Sequence, residues 1–320
     1  MINLKNDNLL INQEVNKNLE NILKRKVFSN GYIFYGPEGI GKKQRAIQFI
    51  KEIFNQYYPS SNIQEKIIDN NHPDFLLIEP KYFIKGKLIN HSETELSKKN
   101  HKDTIRIDQI RNIKIFLGQK SIESEKKIVL IVDAHLLNEA ASNCLLKTLE
   151  EPTNGIFILL TSNLNLLLDT IISRCQLIRF KPFSYEELEL FIKTNIDSTI
   201  LDSHKNLNLE DLVNSANGSP GKIVNDIKIL KEFPKEIKDI LELPLRNNLE
   251  ILKISKLITE YLEIHQQIFL INLIQNKWWI KTKNSNIIKK LEILKSHLNN
   301  YIQPRLAWEV TLLNIAHEDL

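Results

Sequence analysis

Three short stretches of this chain carry residue types at spacings that could do chemistry on a phosphate. The first is Gly36-Pro37-Glu38-Gly39-Ile40-Gly41-Lys42-Lys43. Gly36, Gly41 and Lys42 match the spacing of a phosphate-binding loop: glycine, four residues, glycine, lysine. Glycines, Gly39 included, let backbone N–H groups turn inward around a phosphate at a helix N-terminus, and Lys42 would reach the terminal phosphates. The next position should hold a hydroxyl that ligates Mg²⁺, and Lys43 stands there instead. The second stretch is Ile128 to Val132 followed by Asp133. It supplies an apolar strand and the acid of a metal shell, but Ala134 replaces the glutamate that would polarise water. The third is Ser173-Arg174-Cys175, a lone arginine at the edge of an apolar run. Thr161, at the polar end of the preceding run, is a further candidate contact to nucleotide. His135, beside a helix start, reads as solvated rather than as a substitute base, and His72 reads as a turn residue rather than a ligand.

The elements that must position these residues alternate. Short β-branched apolar runs at about 32–35, 74–79, 128–132, 156–160 and 176–180 predict buried strands. Helical periodicity fills the gaps: Val15, Leu19, Ile22 and Leu23 near the start, the stretch after Gly41 to about Gln56, and Ile107, Ile110 and Leu117 later. Asn138 caps a helix whose Ala141, Cys144, Leu145, Thr148 and Leu149 share a face, and Pro152 and Gly155 stop it. The expected fold class is α/β, a doubly wound parallel sheet. Residues 80–103, with Lys81, Lys85, Lys87, Lys98, Lys99 and Lys102, read as an exposed loop or small excursion whose lysines face solvent. Ser184-Tyr185-Glu186-Glu187 is a capping box, and the chain is helical from there on, with Trp278, Trp279 and Trp308 as core or helix-packing anchors, or, in a ring-forming protein, some of them at a subunit interface.

The wording of these stretches resembles the clamp-loader subunits of bacterial DNA polymerase III, nearest the delta-prime family. The residues that carry it are Tyr35 to Lys42, Ile107 to Arg111, Asp133-Ala134, Ala141 to Pro152 (ASNCLLKTLEEP) and Ser173-Arg174-Cys175. Ile11-Asn12-Gln13 is similar to the family's opening motif near the adenine pocket, or is simply a helix start. The resemblance implies a P-loop AAA+ domain over 1–182, a helical lid over 183–235 and a helical collar over 236–320. It also implies that Arg174, with Ser173, projects into the ATP site of a neighbouring subunit. Relatives that hydrolyse ATP carry a second-domain arginine, whereas Gly218-Ser219-Pro220-Gly221-Lys222 has glycine there. The implied function is a non-hydrolysing member of a heteropentameric ring that loads the sliding clamp on primed DNA. Its partners would be motor and delta-type subunits, the clamp and the DNA. The family is filed under DNA-directed DNA polymerase, yet no polymerase site is visible. ATP at Gly36 to Lys43 is conceivable without turnover. The alternatives are an ATP-hydrolysing motor subunit of the same complex and a stand-alone P-loop protein.

Bulk properties agree with a cytoplasmic protein. The 320 residues allow two or three domains at ~100–200 residues each. Net charge is +4, from 43 basic and 39 acidic residues, too mild to argue nucleic-acid binding alone. No run of about 18 apolar residues and no signal-peptide layout is present, so no membrane partner is expected. Cys144 and Cys175 read as reduced thiols in apolar elements, and without a C-x-x-C pair no zinc is expected.

Overall fold

The computed structural model describes residues 12–57, 63–84, 87–90, 104–151, 155–195, 209–234, 236–237, 240–241, 247–300 and 303–317. They fall into two compact units that divide between Pro182 and Phe183. Position 235, where the sequence separates lid from collar, lies inside the second unit.

The first unit is built on five parallel strands: β1 (Gly31–Tyr35), β2 (Phe75–Ile78), β5 (Lys127–Ile131), β6 (Gly155–Thr161) and β7 (Gln176–Arg179). Their order across the sheet is β2-β5-β6-β1-β7, with registers such as Ile33 opposite Leu159 and Val129 opposite Phe157. Alternate side chains serve two faces. Ile33, Val129, Ile131, Phe157 and Leu159 pack with Ile110 and Ile113 of α4 (Ile107–Gly118), Ala141 and Leu145 of α5 (Glu139–Glu150), and Ile171 of α6 (Asp169–Ile172). On the other face Tyr32 and Phe34 meet Phe49 of α2 (Lys42–Tyr57), with ring centroids 5.7 and 6.3 Å apart. Both faces are therefore covered, which is why the strands read as continuous apolar runs. The first unit also contains α1 (Gln13–Arg25) and the short α3 (Ile63–Ile68).

Two features of the first unit have no counterpart in the sequence reading. Within the stretch read as a loop, β3 (Lys81–Ile84) and β4 (Lys87–Asn90) form an antiparallel hairpin, Lys81 opposite Asn90 and Ile84 opposite Lys87. Lys85, Lys98, Lys99 and Lys102 lie outside the described residues, as do Ile11 and Pro152. The other is Arg45 of α2, a buried cation that donates to Asn16 Oδ1 at 2.9 Å and to Glu52 Oε2 at 3.0 Å. His72 does lie in a turn, but its ring is in the core, stacked on Phe54 at 4.2 Å. Its Nδ1 accepts from the Asp74 N–H at 3.1 Å. Asp74 in turn accepts from the backbone N–H groups of Ile122, Glu123 and Ser124, so a buried carboxylate is satisfied by three donors.

The second unit contains α7 (Tyr185–Asn195), α8 (Leu209–Ala216), α9 (Pro220–Glu232), α10 (Asn248–Tyr261), α11 (Ile264–Thr282), α12 (Ser285–Asn299) and α13 (Pro304–Ala316). The capping box holds: Ser184 Oγ accepts from the Glu187 N–H, and Glu187 Oε2 accepts from the Ser184 N–H. Trp278 and Trp308 are fully buried and donate to Ile240 O at 3.2 Å and Gln267 Oε1 at 2.9 Å. Trp279 departs from its reading as a packing anchor. Next to Trp278 on the helix, it points away from the core and is 43% exposed.

Candidate functional site

The candidate loop leaves the carboxyl end of β1. Gly36 has φ +150°, and a Cβ there would collide with the Phe180 carbonyl oxygen, so only glycine fits this close approach. Gly39 and Gly41 also adopt positive φ, of 71° and 88°. Gly36 N–H donates to Thr161 O at 3.3 Å, which joins the loop to the end of β6.

Lys42 opens α2, but its ammonium is turned onto the loop itself, donating to Gly36 O at 2.6 Å and Pro37 O at 2.5 Å. Burial pushes its pKa below the ordinary lysine value, and the Asp133 and Glu38 carboxylates pull the other way. Lys43 points elsewhere and forms an ion pair with Glu79, just past β2, at 2.6 Å. At the end of β5, Asp133 has φ 51°, a left-handed conformation that aspartate tolerates better than most residues. Ala134 beside it is fully buried, so the water-polarising position is a methyl group packed in the core.

Thr161, also fully buried, uses its hydroxyl locally. Oγ1 donates to Asn163 O at 2.9 Å and accepts from Asn163 N–H at 3.1 Å. His135 is not simply solvated. Its ring lies in a 3-10 turn, with Nδ1 3.4 Å from Thr161 Oγ1 and Nε2 3.4 Å from Ser162 Oγ. Strand ends that are remote in sequence bring these groups together, and no local pattern around residue 135 announces it.

Arg174 lies elsewhere. It follows α6 and precedes β7, at the amino edge of the sheet, where Cys175 packs beside the first residue of β1, Gly31. The Arg174 side chain is 39% exposed; Nη1 donates to Thr170 O at 3.0 Å and Nη2 pairs with Glu150 Oε1 at 2.6 Å. Ser173 Oγ donates to the same Thr170 O at 3.1 Å, so Ser173 shapes the turn that presents the arginine. The sequence reading found Arg174 but not Glu150, which is 24 positions earlier. Both cysteines are free and half-buried, and burial pushes the Cys175 thiol up to about 11, out of the reactive range. In the second unit, Gly218 has φ 80°, and Ser219 Oγ accepts from Lys222 N–H at 3.2 Å to cap α9. Gly218 to Lys222 is therefore a helix start whose first turn has no arginine.

Among the described residues no helix is long and apolar enough to cross a membrane, and no group of three or more His, Cys, Asp or Glu could hold a metal ion.

Comparison with known proteins gives a consistent family. The chain is 30% identical over 181 residues to the DNA polymerase III subunit delta' of Bacillus subtilis, covering 55% of this chain and 49% of that protein. The chain thus spans about half the length of this curated relative. It is also 30% identical over 207 residues to subunit tau of the same organism, covering 64% of this chain and 34% of that one. A DNA polymerase III gamma subunit-related protein from Thermotoga maritima has the same fold, with TM-score 0.55 at 18% identity over 93% of this chain and 98% of that chain. A model of the cyanobacterial DNA polymerase III delta prime C-terminal domain matches residues 195–315. The family model described as DNA polymerase III, delta subunit, matches residues 11–184, more than half of the chain. With a five-stranded parallel sheet over the same residues and delta' subunits among its relatives, the chain belongs to the family described as DNA polymerase III, delta subunit.

Proposed function

We propose that this chain is the delta-prime-type subunit of a bacterial clamp loader, a cytoplasmic stator that does not hydrolyse ATP itself. In this reading it lends Arg174 to ATP held by a neighbouring subunit. One contrast carries the proposal. At the loop, Lys42 is folded onto Gly36 O and Pro37 O, Lys43 stands where the hydroxyl ligand belongs and pairs with Glu79, and the water-polarising position is the buried methyl of Ala134. Arg174 meanwhile is retained at an edge of the sheet, where its ties to Glu150 and the Thr170 carbonyl leave other N–H donors unspent.

The donor set at the loop does not fit magnesium–ATP. The hydroxyl ligand is replaced by the Lys43 ammonium, which repels a divalent cation, and the carboxylate beside Asp133 is replaced by Ala134. A buried methyl neither orients nor deprotonates water. Asp133 alone is too little for turnover. An arginine supplied in trans, by contrast, needs only reach and charge. Its planar fork donates to two oxygens of a γ-phosphoryl group and offsets the charge that develops there. Comparable arginines in GTPase systems contribute ~10³–10⁵ in rate. Partners in this reading are motor and delta-type subunits in a heteropentameric ring, with the sliding clamp and primed DNA reached through that complex.

The test is ATP hydrolysis by the reconstituted loader with clamp and primed DNA, comparing the native chain with Arg174→Ala, beside the chain alone. The expected result is a silent isolated chain and a slowed but assembled Arg174→Ala complex. Brisk hydrolysis by the isolated chain would overturn the reading in favour of a motor subunit.

A further inference from the structure

The partner of Arg174 inside its own subunit has a place in this reading. Glu150 is the last residue of α5, where the unpaired helix carbonyls already concentrate negative charge. A carboxylate there is unfavourable unless a cation joins it. Two glutamates stand at this helix end and their cations are distinct: Glu151 pairs with Lys114 of α4 at 2.9 Å, and Glu150 pairs with Arg174 at 2.6 Å. The guanidinium is also tied to the Thr170 carbonyl at 3.0 Å. One acceptor on each terminal nitrogen orients the plane of the group while leaving other N–H donors of its five unspent.

We propose, resting on the trans-arginine reading above, that Glu150 is a positioning residue for Arg174. It parks the guanidinium against the end of α5 in the free subunit and gives it up to the neighbour's triphosphate in the assembled ring. The exchange is feasible because both side chains are substantially exposed, 39% and 46%. An exposed pair of one carboxylate is weak, whereas a phosphate offers more charge and a bidentate geometry. Glu150 therefore competes with the nucleotide for the same cation. The competition makes a subunit facing an empty or diphosphate-bound neighbour hold its arginine back.

The experiment measures binding of the full-length chain to the neighbouring ATPase subunit, saturated with a non-hydrolysable ATP analogue, with ADP, or without nucleotide. It compares native protein, Glu150→Gln, Arg174→Ala and the double variant at fixed salt. Glu150→Gln is near-isosteric and at the surface, and thermal unfolding checks that it folds. Expected is a tightening by about two- to fivefold with the ATP analogue, the range typical of an exposed ion pair. No tightening is expected with ADP or without nucleotide, and none in the Arg174→Ala background. A role of Glu150 in folding alone would not depend on nucleotide. If Glu150→Gln leaves binding unchanged, weakens it, or acts equally without Arg174, the inference is overturned while the trans-arginine reading stands. If Arg174→Ala alone affects neither binding nor hydrolysis, that reading fails and takes the inference with it.

Discussion

The Gly36–Lys43 loop and the Ser173-Arg174-Cys175 turn sit at opposite ends of one parallel sheet, and they differ in what their charged groups face. At the carboxyl ends of β1, β5 and β6, Lys42 and Thr161 are turned onto Gly36 O, Pro37 O and Asn163 O, while Lys43 pairs with Glu79 and stays half-exposed. At the amino edge of β7, Arg174 stays partly exposed, held by one carboxylate and one carbonyl. In the proposed reading, the fold keeps the architecture of a nucleotide site for packing while its chemistry lies at another edge. The loop glycines still serve the first purpose, because Gly36 must pass close to the Phe180 carbonyl whether or not a phosphate is present.

The strongest way to break this contrast is Arg174→Ala. Hydrolysis at the neighbouring site should fall by about 10³-fold or more in the reconstituted complex, with assembly retained. An effect below twofold would leave the arginine turn as inert as the loop. Next in size is Gly36→Ala, expected to cost about 2–3 kcal/mol of stability in denaturant unfolding, from backbone strain and the clash with Phe180 O. Unchanged stability would mean that the loop geometry is not needed for packing.

His72 separates folding from function. Burial lowers its pKa below the ordinary 6.5, outweighing the Glu123 and Asp74 carboxylates, so the folded state prefers the neutral ring. Between the two pKa values the unfolded chain binds more protons. Stability is therefore full above about pH 6.5 and declines as pH falls through that value toward the lower folded pKa. The slope is at most about 1.4 kcal/mol per pH unit. His72→Gln should flatten this slope in urea titrations at pH 5 to 7.5, and a slope that survives would place the proton elsewhere. Smallest is Lys43→Ala, which should change hydrolysis by the complex less than about twofold and stability by less than about 1 kcal/mol, since the Lys43–Glu79 pair is half-exposed at the lysine. A large loss of hydrolysis would return the loop to the machinery.

Much of the sheet was legible because a strand covered on both faces must be apolar throughout, and five such runs stood out. Each observed strand starts or ends within a residue or so of the expected span, as with 128–132 against Lys127–Ile131. The β3–β4 hairpin was missed because four-residue strands carry too little pattern to be told from a polar loop. Arg45 was missed because a buried cation is recognisable only by partners such as Asn16, 29 positions away. Trp278 and Trp279 look alike in sequence, and helix geometry sends one into the core and the other outward.

The sequence by itself determined the order of elements, the phosphate-loop spacing, the loss of the hydroxyl at Lys43 and of the carboxylate at Ala134, and the presence of Arg174. These are matters of residue type and of periods of two or 3.6, which local chain geometry enforces. Only the tertiary structure decided where the polar side chains go: Lys43 to Glu79, Arg174 to Glu150, and His135 to Thr161 and Ser162. The partners are 36, 24 and about 26 residues apart in these pairs. Coulomb attraction and hydrogen bonding act through space at a few ångströms, so partner choice depends on which strand ends and helix ends the packed sheet brings together.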